Sequence, residues 1–317
     1  MILKKRRLSL YSAIFLICFF LIISFFFSSH TVDYAKEANT KNSSTISSDS
    51  ATTESQTESE ENLAAFYKKV EVALTQAKTS FKGDVGLTYI DLTTGKEISI
   101  NGDKDFYTAS TIKVPLAMFI ADKVNSGSLK WDMQIPYNEE EDYEEGTGLL
   151  IYDIQPSYSL KTLQEYNIVY SDNIAKNMLY DALGGDKKAR TDLYARFFKK
   201  TPNLESTQIT SKEAATVLEE LYKKKATDKE YLTIYDYMKR TVFHERMDTP
   251  TTSGKVAHKI GSYNDFIHDI GIFETEYPFI LTVYTKGENG IPFISQLTDQ
   301  IWTIQSKDYP KENTKNP

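Results

Sequence analysis

Tyr107-Thr108-Ala109-Ser110-Thr111-Ile112-Lys113 begins a helix, because apolar residues continue after it at helical spacing through residues 114–120. Ser110 and Lys113 are three residues apart and therefore lie on one helical face. Ser110 would lie at the helix N-terminus, where free N–H groups favour developing negative charge. A desolvated lysine near another cation can lose its proton and act as a base. On its own, however, the pair is more simply an N-capping serine and a surface lysine.

Two further motifs follow along the chain. Tyr170-Ser171-Asp172-Asn173 precedes a second helical pattern and, alone, is a good N-cap cluster. Val256-Ala257-His258-Lys259-Ile260-Gly261-Ser262 ends a strand pattern and, alone, indicates an edge strand that runs into a glycine bend. The order Ser-x-x-Lys, Ser-Asp-Asn, Lys-x-Gly changes that interpretation, because the three motifs together form a known catalytic set.

The remaining pattern predicts an α/β (α+β) fold. A helix from residue 62 precedes two strands, a mostly helical region covers roughly 107–245, and three strands and a helix follow. Short hairpin turns favour one five-stranded, mostly antiparallel sheet flanked by helices, with the helical region as an insertion. The predicted strands are Val85–Asp91, Lys96–Ile100, Gly254–Ile260, Phe266–Phe273 and Phe279–Tyr284, and the closing helix is Ile291–Ile304.

The sequence resembles the class A β-lactamases and their relatives among the penicillin-binding proteins over about residues 62–305. The resemblance implies a β-lactamase/transpeptidase-like fold with the site between the sheet and the helical insertion. It also implies an enzyme that works by acyl transfer and uses no cofactor.

The resemblance assigns roles residue by residue. Ser110 would be the acylated nucleophile, and Lys113 would help to take its proton. Ser171 would pass a proton toward the leaving nitrogen. Asn173 would hold the substrate's side-chain amide and Lys113, and Lys259 would supply positive potential for the substrate carboxylate and for Lys113.

Backbone groups complete the implied site. The N–H groups of Ser110 and Ser262 would form an oxyanion hole, which is commonly worth about 3–4 kcal/mol per donor. Gly261 would let the substrate backbone approach the strand. Asp172 would point into the structure and be architectural.

The sequence departs from the family in two places. Ile260 stands where the family usually has a hydroxyl, and losing a hydrogen bond to a charged group costs about 1.5–3 kcal/mol. Class A enzymes hydrolyse the acyl-enzyme with a glutamate on a loop between the second and third motifs. Here the connection 199–206 is too short for that loop, and its only acid, Glu205, is interpreted as a surface or first-turn residue. We therefore expect slow deacylation.

The first sixty residues predict a membrane anchor and a spacer. Lys4-Lys5-Arg6-Arg7 precedes 18 mostly apolar residues from Leu10 to Phe27, enough for a span with a cytoplasmic basic end. A cleaved signal peptide, which would give a secreted protein, is the alternative. The predicted boundaries are a basic segment 1–7, an anchor 8–29, a Ser/Thr-rich disordered linker 30–61, the enzyme domain 62–305 and a polar tail 306–317.

Composition excludes several classes of function. The net charge of −7 gives no electrostatic footprint for nucleic acid. Cys18 is the only cysteine, so an intrachain disulfide and a cysteine-rich metal site are excluded, and scattered histidines predict no metal site. The acidic stretch Glu139–Glu145 is typical of a solvated loop.

The sequence thus predicts a membrane-anchored extracellular hydrolase that acts through Ser110 on β-lactams or on D-Ala-D-Ala-type peptidoglycan stem peptides. Two alternatives stay open: a D,D-peptidase of peptidoglycan maintenance, and a catalytically inactive relative that binds the cell wall. The sequence leaves the oligomeric state open.

Overall fold

The computed structural model describes residues 49–311, with side chains from residue 59 onward. Its strands are β1 (Gly83–Asp91), β2 (Glu97–Ile100), β3 (Asp105–Tyr107), β4 (Gln134–Pro136), β5 (Ser157–Ser159), β6 (Gln208–Thr210), β7 (Val256–Tyr263), β8 (Phe266–Phe273) and β9 (Phe279–Gly287). Its helices are α1 (Asp49–Ser80), α2 (Lys113–Asn125), α3 (Glu139–Asp142), α4 (Leu160–Val169), α5 (Asn173–Ala182), α6 (Asp186–Phe197), α7 (Ser211–Lys224), α8 (Lys229–Lys239) and α9 (Gly290–Asp308). Single 3₁₀ turns cover Ala109–Ile112 and Leu150–Tyr152.

The central sheet has the order β2-β1-β9-β8-β7. Each neighbouring pair is antiparallel, with Thr88 opposite Thr282 and Lys259 opposite Ile270. The predicted five-stranded antiparallel sheet is therefore confirmed. β7 is an edge strand, and it packs against the Ala109–Ile112 turn.

The two faces of the sheet bury different sets of helices. Because side chains alternate along a strand, Leu281 and Val283 of β9 pack with α1 and α9, whereas Ile280 and Tyr284 pack with the helical insertion. Within that insertion, α2 is apolar on all sides and is buried from Lys113 through Ala121, as expected for a helix surrounded by others. The insertion and the sheet thus meet at the start of α2.

The structure differs from the sequence prediction at both ends of the domain. α1 begins at Asp49, so residues 49–61 are helical although the linker was predicted to be disordered; the Glu, Gln and Ala residues there are good helix formers that extend the packed helix. In the predicted polar tail, Tyr309 is buried and its hydroxyl donates to Asp91 Oδ2 at 2.9 Å. The folded domain therefore extends past residue 305.

No helix within residues 49–311 combines the length and apolar character needed to cross a bilayer. The predicted basic segment 1–7, the predicted anchor 8–29 and the first part of the linker lie outside the described residues.

Candidate active site

A strained turn presents the predicted nucleophile. Ala109 has a φ of 42°, a left-handed conformation that is costly for a residue with a side chain. The turn is fixed on one side by β3, which pairs with β6, and by Thr108 N–H, which donates to Thr207 O at 3.0 Å. Ser110 is half-buried in the 3₁₀ turn that leads into α2, and it lines a cleft.

Lys113 is buried one turn further along and is held by the second motif. Its Nζ donates to Asn173 Oδ1 at 2.8 Å, to Ser171 O at 2.5 Å and to Ser171 Oγ at 3.2 Å. Burial, followed by the nearby Lys259 and Lys176 ammonium groups, holds the pKa of Lys113 well below its ordinary value. The surroundings of Lys113 therefore favour its neutral form more than water does.

Ser171 links the two lysines of the site. Its Oγ accepts hydrogen bonds from Lys113 Nζ and from Lys259 Nζ, the latter at 2.9 Å. Its backbone is left-handed, with a φ of 52°, and Thr147 Oγ1 fixes its carbonyl oxygen at 2.6 Å. Because both lysines donate to Ser171 Oγ, its own hydrogen points away from both ammonium groups.

Lys259 lies on β7 and is fully buried. Its Nζ also donates to Ile260 O at 3.0 Å. Burial lowers the pKa of Lys259 to about 7, Asp269 opposes that shift, and the Arg246 guanidinium adds to it. This lysine is thus poised to change charge near neutrality.

Asp172 has a structural position, as predicted. Its Oδ2 accepts from the N–H groups of Leu149 and Leu150 at 2.7 and 2.9 Å, and its Oδ1 caps α5 through Ala175 N–H at 2.8 Å. It is buried and lies beside Gly148, where a Cβ would come within 2.3 Å of Asp172 Oδ2. Asp172 therefore joins the second motif to the loop that precedes it.

The third motif brings β7 against the nucleophile turn. A Cβ on Gly261 would meet Thr111 Cγ2 at 3.1 Å and Ser110 N at 3.3 Å, so glycine allows the strand to approach that turn. Ile260 lines the cleft with its apolar side chain, and Ser262 is exposed at its edge. Ser262 Oγ accepts a hydrogen bond from Arg246 Nη2 at 2.6 Å.

Arg246 is a site residue that the sequence did not reveal. It is buried, and its Nη1 donates to Gly261 O at 3.1 Å and to His268 O at 2.8 Å. It stands in an irregular segment 13 residues before Lys259, where no local pattern marks it. Its placement depends on the pairing of β7 with β8.

The cleft has a volume of about 550 Å³ and is lined by all three motifs. It also receives side chains of the acidic stretch, because Glu144 and Glu145 line it and Asp142 is buried. The interpretation of Glu139–Glu145 as a solvated loop is therefore wrong for buried Asp142 and half-buried Glu144, whereas Glu145 is exposed. The backbone of the stretch is anchored to α5, where Asn177 Nδ2 donates to Asp142 O at 3.1 Å and Asn173 Nδ2 donates to Glu145 O at 3.2 Å.

Glu205 is exposed and does not line the cleft. Its N–H donates to Asn203 Oδ1 at 3.0 Å within a short connection between α6 and β6. The structure thus agrees with the interpretation of Glu205 as a surface acid.

The histidines of the sheet make structural contacts. His258 Nδ1 lies 3.0 Å from Asp269 Oδ2, and His268 Nε2 donates to Tyr107 O at 2.8 Å while its Nδ1 accepts from Thr285 N–H. Burial lowers the pKa of His268 to about 4, which matches this neutral tautomer. Within the described residues, no group of three or more metal-ligating side chains converges.

Comparisons with known proteins identify the family and the fold. The model of the β-lactamase enzyme family matches residues 66–305. Of the solved structures, PBP-A superposes with a TM-score of 0.66 at 21% identity, covering 75% of this chain and 96% of PBP-A. An acyl-enzyme complex of a PBP-A mutant with penicillin G superposes with a TM-score of 0.66 at 21% identity, covering 77% of this chain and 97% of the mutant. A β-lactamase from Sphaerobacter thermophilus DSM 20745 superposes with a TM-score of 0.63 at 22% identity, covering 75% of this chain and 95% of that β-lactamase. These structural likenesses show the fold.

Proposed function

The chain belongs to the β-lactamase enzyme family, and from this membership we propose that it is a serine hydrolase that acts by acyl transfer through Ser110. Its substrates are β-lactams or peptides that end in D-Ala-D-Ala, and deacylation is slow. One observation carries the proposal: Lys113 and Lys259 both donate to Ser171 Oγ, at the wall of the cleft that Ser110 lines.

Acylation follows from the two lysines and the serine between them. Lys113, whose lowered pKa favours the neutral form, takes the proton of Ser110, and Ser110 Oγ bonds to the substrate carbonyl carbon. Backbone N–H groups of Ser110 and Ser262 hold the resulting oxyanion. The C–N bond then breaks, Ser171 donates its proton to the leaving nitrogen, and Lys113 restores that proton through its contact with Ser171 Oγ.

Substrate recognition rests on two buried cations that lie behind the residues lining the cleft. Lys259 and Arg246 together provide positive potential for a substrate carboxylate, and Ser262 Oγ, bonded to Arg246, provides a hydroxyl at the exposed edge of β7. The side chain of Ile260 provides no hydroxyl for the substrate. Asn173 Nδ2, which donates to Glu145 O at 3.2 Å, is placed to contact the substrate's amide.

Slow deacylation follows from the short connection between α6 and β6. Glu205, its only acid, is exposed and lies outside the cleft lining. This connection therefore supplies no carboxylate to take a proton from a water near the acyl-enzyme. A general base of that kind increases a rate about 10²- to 10⁴-fold.

The proposal includes a membrane anchor and an extracellular domain. It is supported by the basic cluster before the apolar residues 10–27 and by the Ser/Thr-rich segment that follows. A protein in this place meets the cell wall, where D-Ala-D-Ala peptides occur.

Two rates test the proposal. The full-length protein is incubated with penicillin G and followed by intact mass, and release of D-Ala from an acetylated Lys-D-Ala-D-Ala peptide is measured in parallel. We expect an adduct of the drug's mass that persists for minutes to hours. Rapid turnover of the drug with no persistent adduct would contradict slow deacylation.

A second candidate is an inactive relative that binds the cell wall. Ile260 and the short connection favour it, because both remove groups that the reaction uses in the family. Binding of the peptide with neither adduct nor D-Ala release would support this alternative.

A further inference from the structure

Carboxylates do reach the cleft, but from the loop before the second motif and from α6. Within the described residues, those that line it are Glu144, Glu145 and Asp186. Asp186 is paired with the guanidinium of Arg190 on the same helix. Glu145 is exposed and contacts Asn173 through its backbone carbonyl oxygen. The side chain of Glu144, by contrast, is half-buried in the cleft wall.

Two donors on α5 hold the Glu144 carboxylate in a fixed place. Lys176 Nζ donates to Glu144 Oε2 at 2.8 Å, and Asn177 Nδ2 donates to the same oxygen at 3.0 Å. Lys176 and Asn177 are three and four residues after Asn173, so they continue the helix face that holds Lys113. Among contacts of the described residues, Oε1 of Glu144 accepts no hydrogen bond, which leaves it open to a water in the cleft.

Glu144 also interacts electrostatically with the base of the acylation step. Its negative charge raises the pKa of Lys113, against the larger effects of burial and of Lys259 and Lys176. The charge of Lys113 in turn lowers the pKa of Glu144. The carboxylate therefore belongs to the same charged cluster as Lys113 and lines the same cleft as Ser110.

We propose that Glu144 is the general base for hydrolysis of the acyl-enzyme on Ser110, supplied by the loop that precedes the second motif. This inference rests on the proposed function, because it needs an acyl-enzyme. Glu144 Oε1 takes a proton from water as the water oxygen bonds to the acyl carbon. The tetrahedral intermediate then collapses, the bond from carbon to Ser110 Oγ breaks, and the proton returns from Glu144 to Ser110 Oγ by way of Lys113.

The same contacts explain why this base gives slow turnover. Burial opposes ionisation of Glu144, but the Lys176 ammonium and its hydrogen bond outweigh burial and hold the pKa of Glu144 below its ordinary value. A carboxylate with a lowered pKa accepts a proton less readily. The acyl-enzyme is therefore hydrolysed, but slowly.

The test measures decay of the adduct separately from its formation. Full-length wild-type protein, Glu144→Gln and the matched control Glu205→Gln are acylated with penicillin G, excess drug is removed, and the adduct is followed by intact mass. We expect Glu144→Gln still to form the adduct and to lengthen its lifetime about 100-fold. Glu205→Gln, whose side chain is exposed outside the cleft, decays as wild type does.

Chemical rescue distinguishes a base from a structural role. A Glu144→Ala variant leaves space for formate, and added formate should speed decay of its adduct if a carboxylate at this place activates water. Equal decay of Glu144→Gln and wild type, or a wild-type adduct that never decays, overturns the inference and leaves the proposed function standing. Failure of the wild type to form any adduct overturns both.

Discussion

Replacing Asp172 by alanine removes the carboxylate that joins the second motif to the loop before it. Three backbone N–H groups lose their acceptor: Leu149 and Leu150 in the loop, and Ala175 in the first turn of α5. The site is buried, so water does not readily replace the carboxylate. We therefore expect a large loss of stability from a residue that takes no part in proton transfer.

The magnitude follows from counting these groups. Loss of a helix N-cap costs about 1 kcal/mol, and each buried donor left unpaired costs about 1–3 kcal/mol. The total is about 3–7 kcal/mol. For a domain of this size, about 1 kcal/mol lowers Tm by about 2–4 °C, so the expected decrease is at least about 6 °C.

Thermal unfolding of the full-length protein, followed by circular dichroism, measures this decrease. Asp228→Ala is the matched control, because Asp228 caps α8 through Glu230 N–H at 2.9 Å and belongs to no part of the cleft. Its loss should cost about 1 kcal/mol. If Asp172→Ala melts no lower than Asp228→Ala, the account of Asp172 as the link between motif and loop is refuted.

Three further outcomes are expected. Gly261→Ala places a Cβ 3.3 Å from Ser110 N, so adduct formation with penicillin G should slow at least about tenfold, measured by intact mass. Adduct formation should decline above about pH 7 as Lys259 loses its charge, and Lys259→Arg should flatten that decline in a pH–rate profile. Burial and Asp181 raise the pKa of Asp142 to about 6. Between about pH 4 and 6 the folded state therefore binds more protons than the unfolded state, and stability falls as the pH rises through this range. Asp142→Asn lacks this group, so its Tm should increase relative to that of wild type as the pH rises from about 4 to 6.

Local patterns were sufficient for the sheet and for the three motifs. β8 and β9 are buried along most of their length and lie between clear turns, so their bounds follow from the sequence within a few residues. The order of the motifs then indicated which side chains meet. The structure brings Lys113, Ser171, Asn173 and Lys259 into one hydrogen-bonded cluster, as that order implies.

Features that depend on distant partners could not be predicted in this way. Arg246 reaches the site only because β7 pairs with β8, and its segment has no periodic pattern. Glu144 stands in an acidic run typical of solvent-exposed loops, and only the donors Lys176 and Asn177 on another element hold it in the cleft. Tyr309 contacts Asp91, which lies more than 200 residues earlier in the chain. Because that partner is so distant, the polar composition around Tyr309 predicted only a C-terminal tail.

The proposed function requires that substrate acylates Ser110 in this cleft. The most direct measurement is peptide mapping of the full-length protein after incubation with penicillin G, with Ser110→Ala treated identically. We predict one adduct of the drug's mass on the peptide that contains Ser110, and none on the variant. An adduct on another residue, or equal labelling of Ser110→Ala, would contradict it.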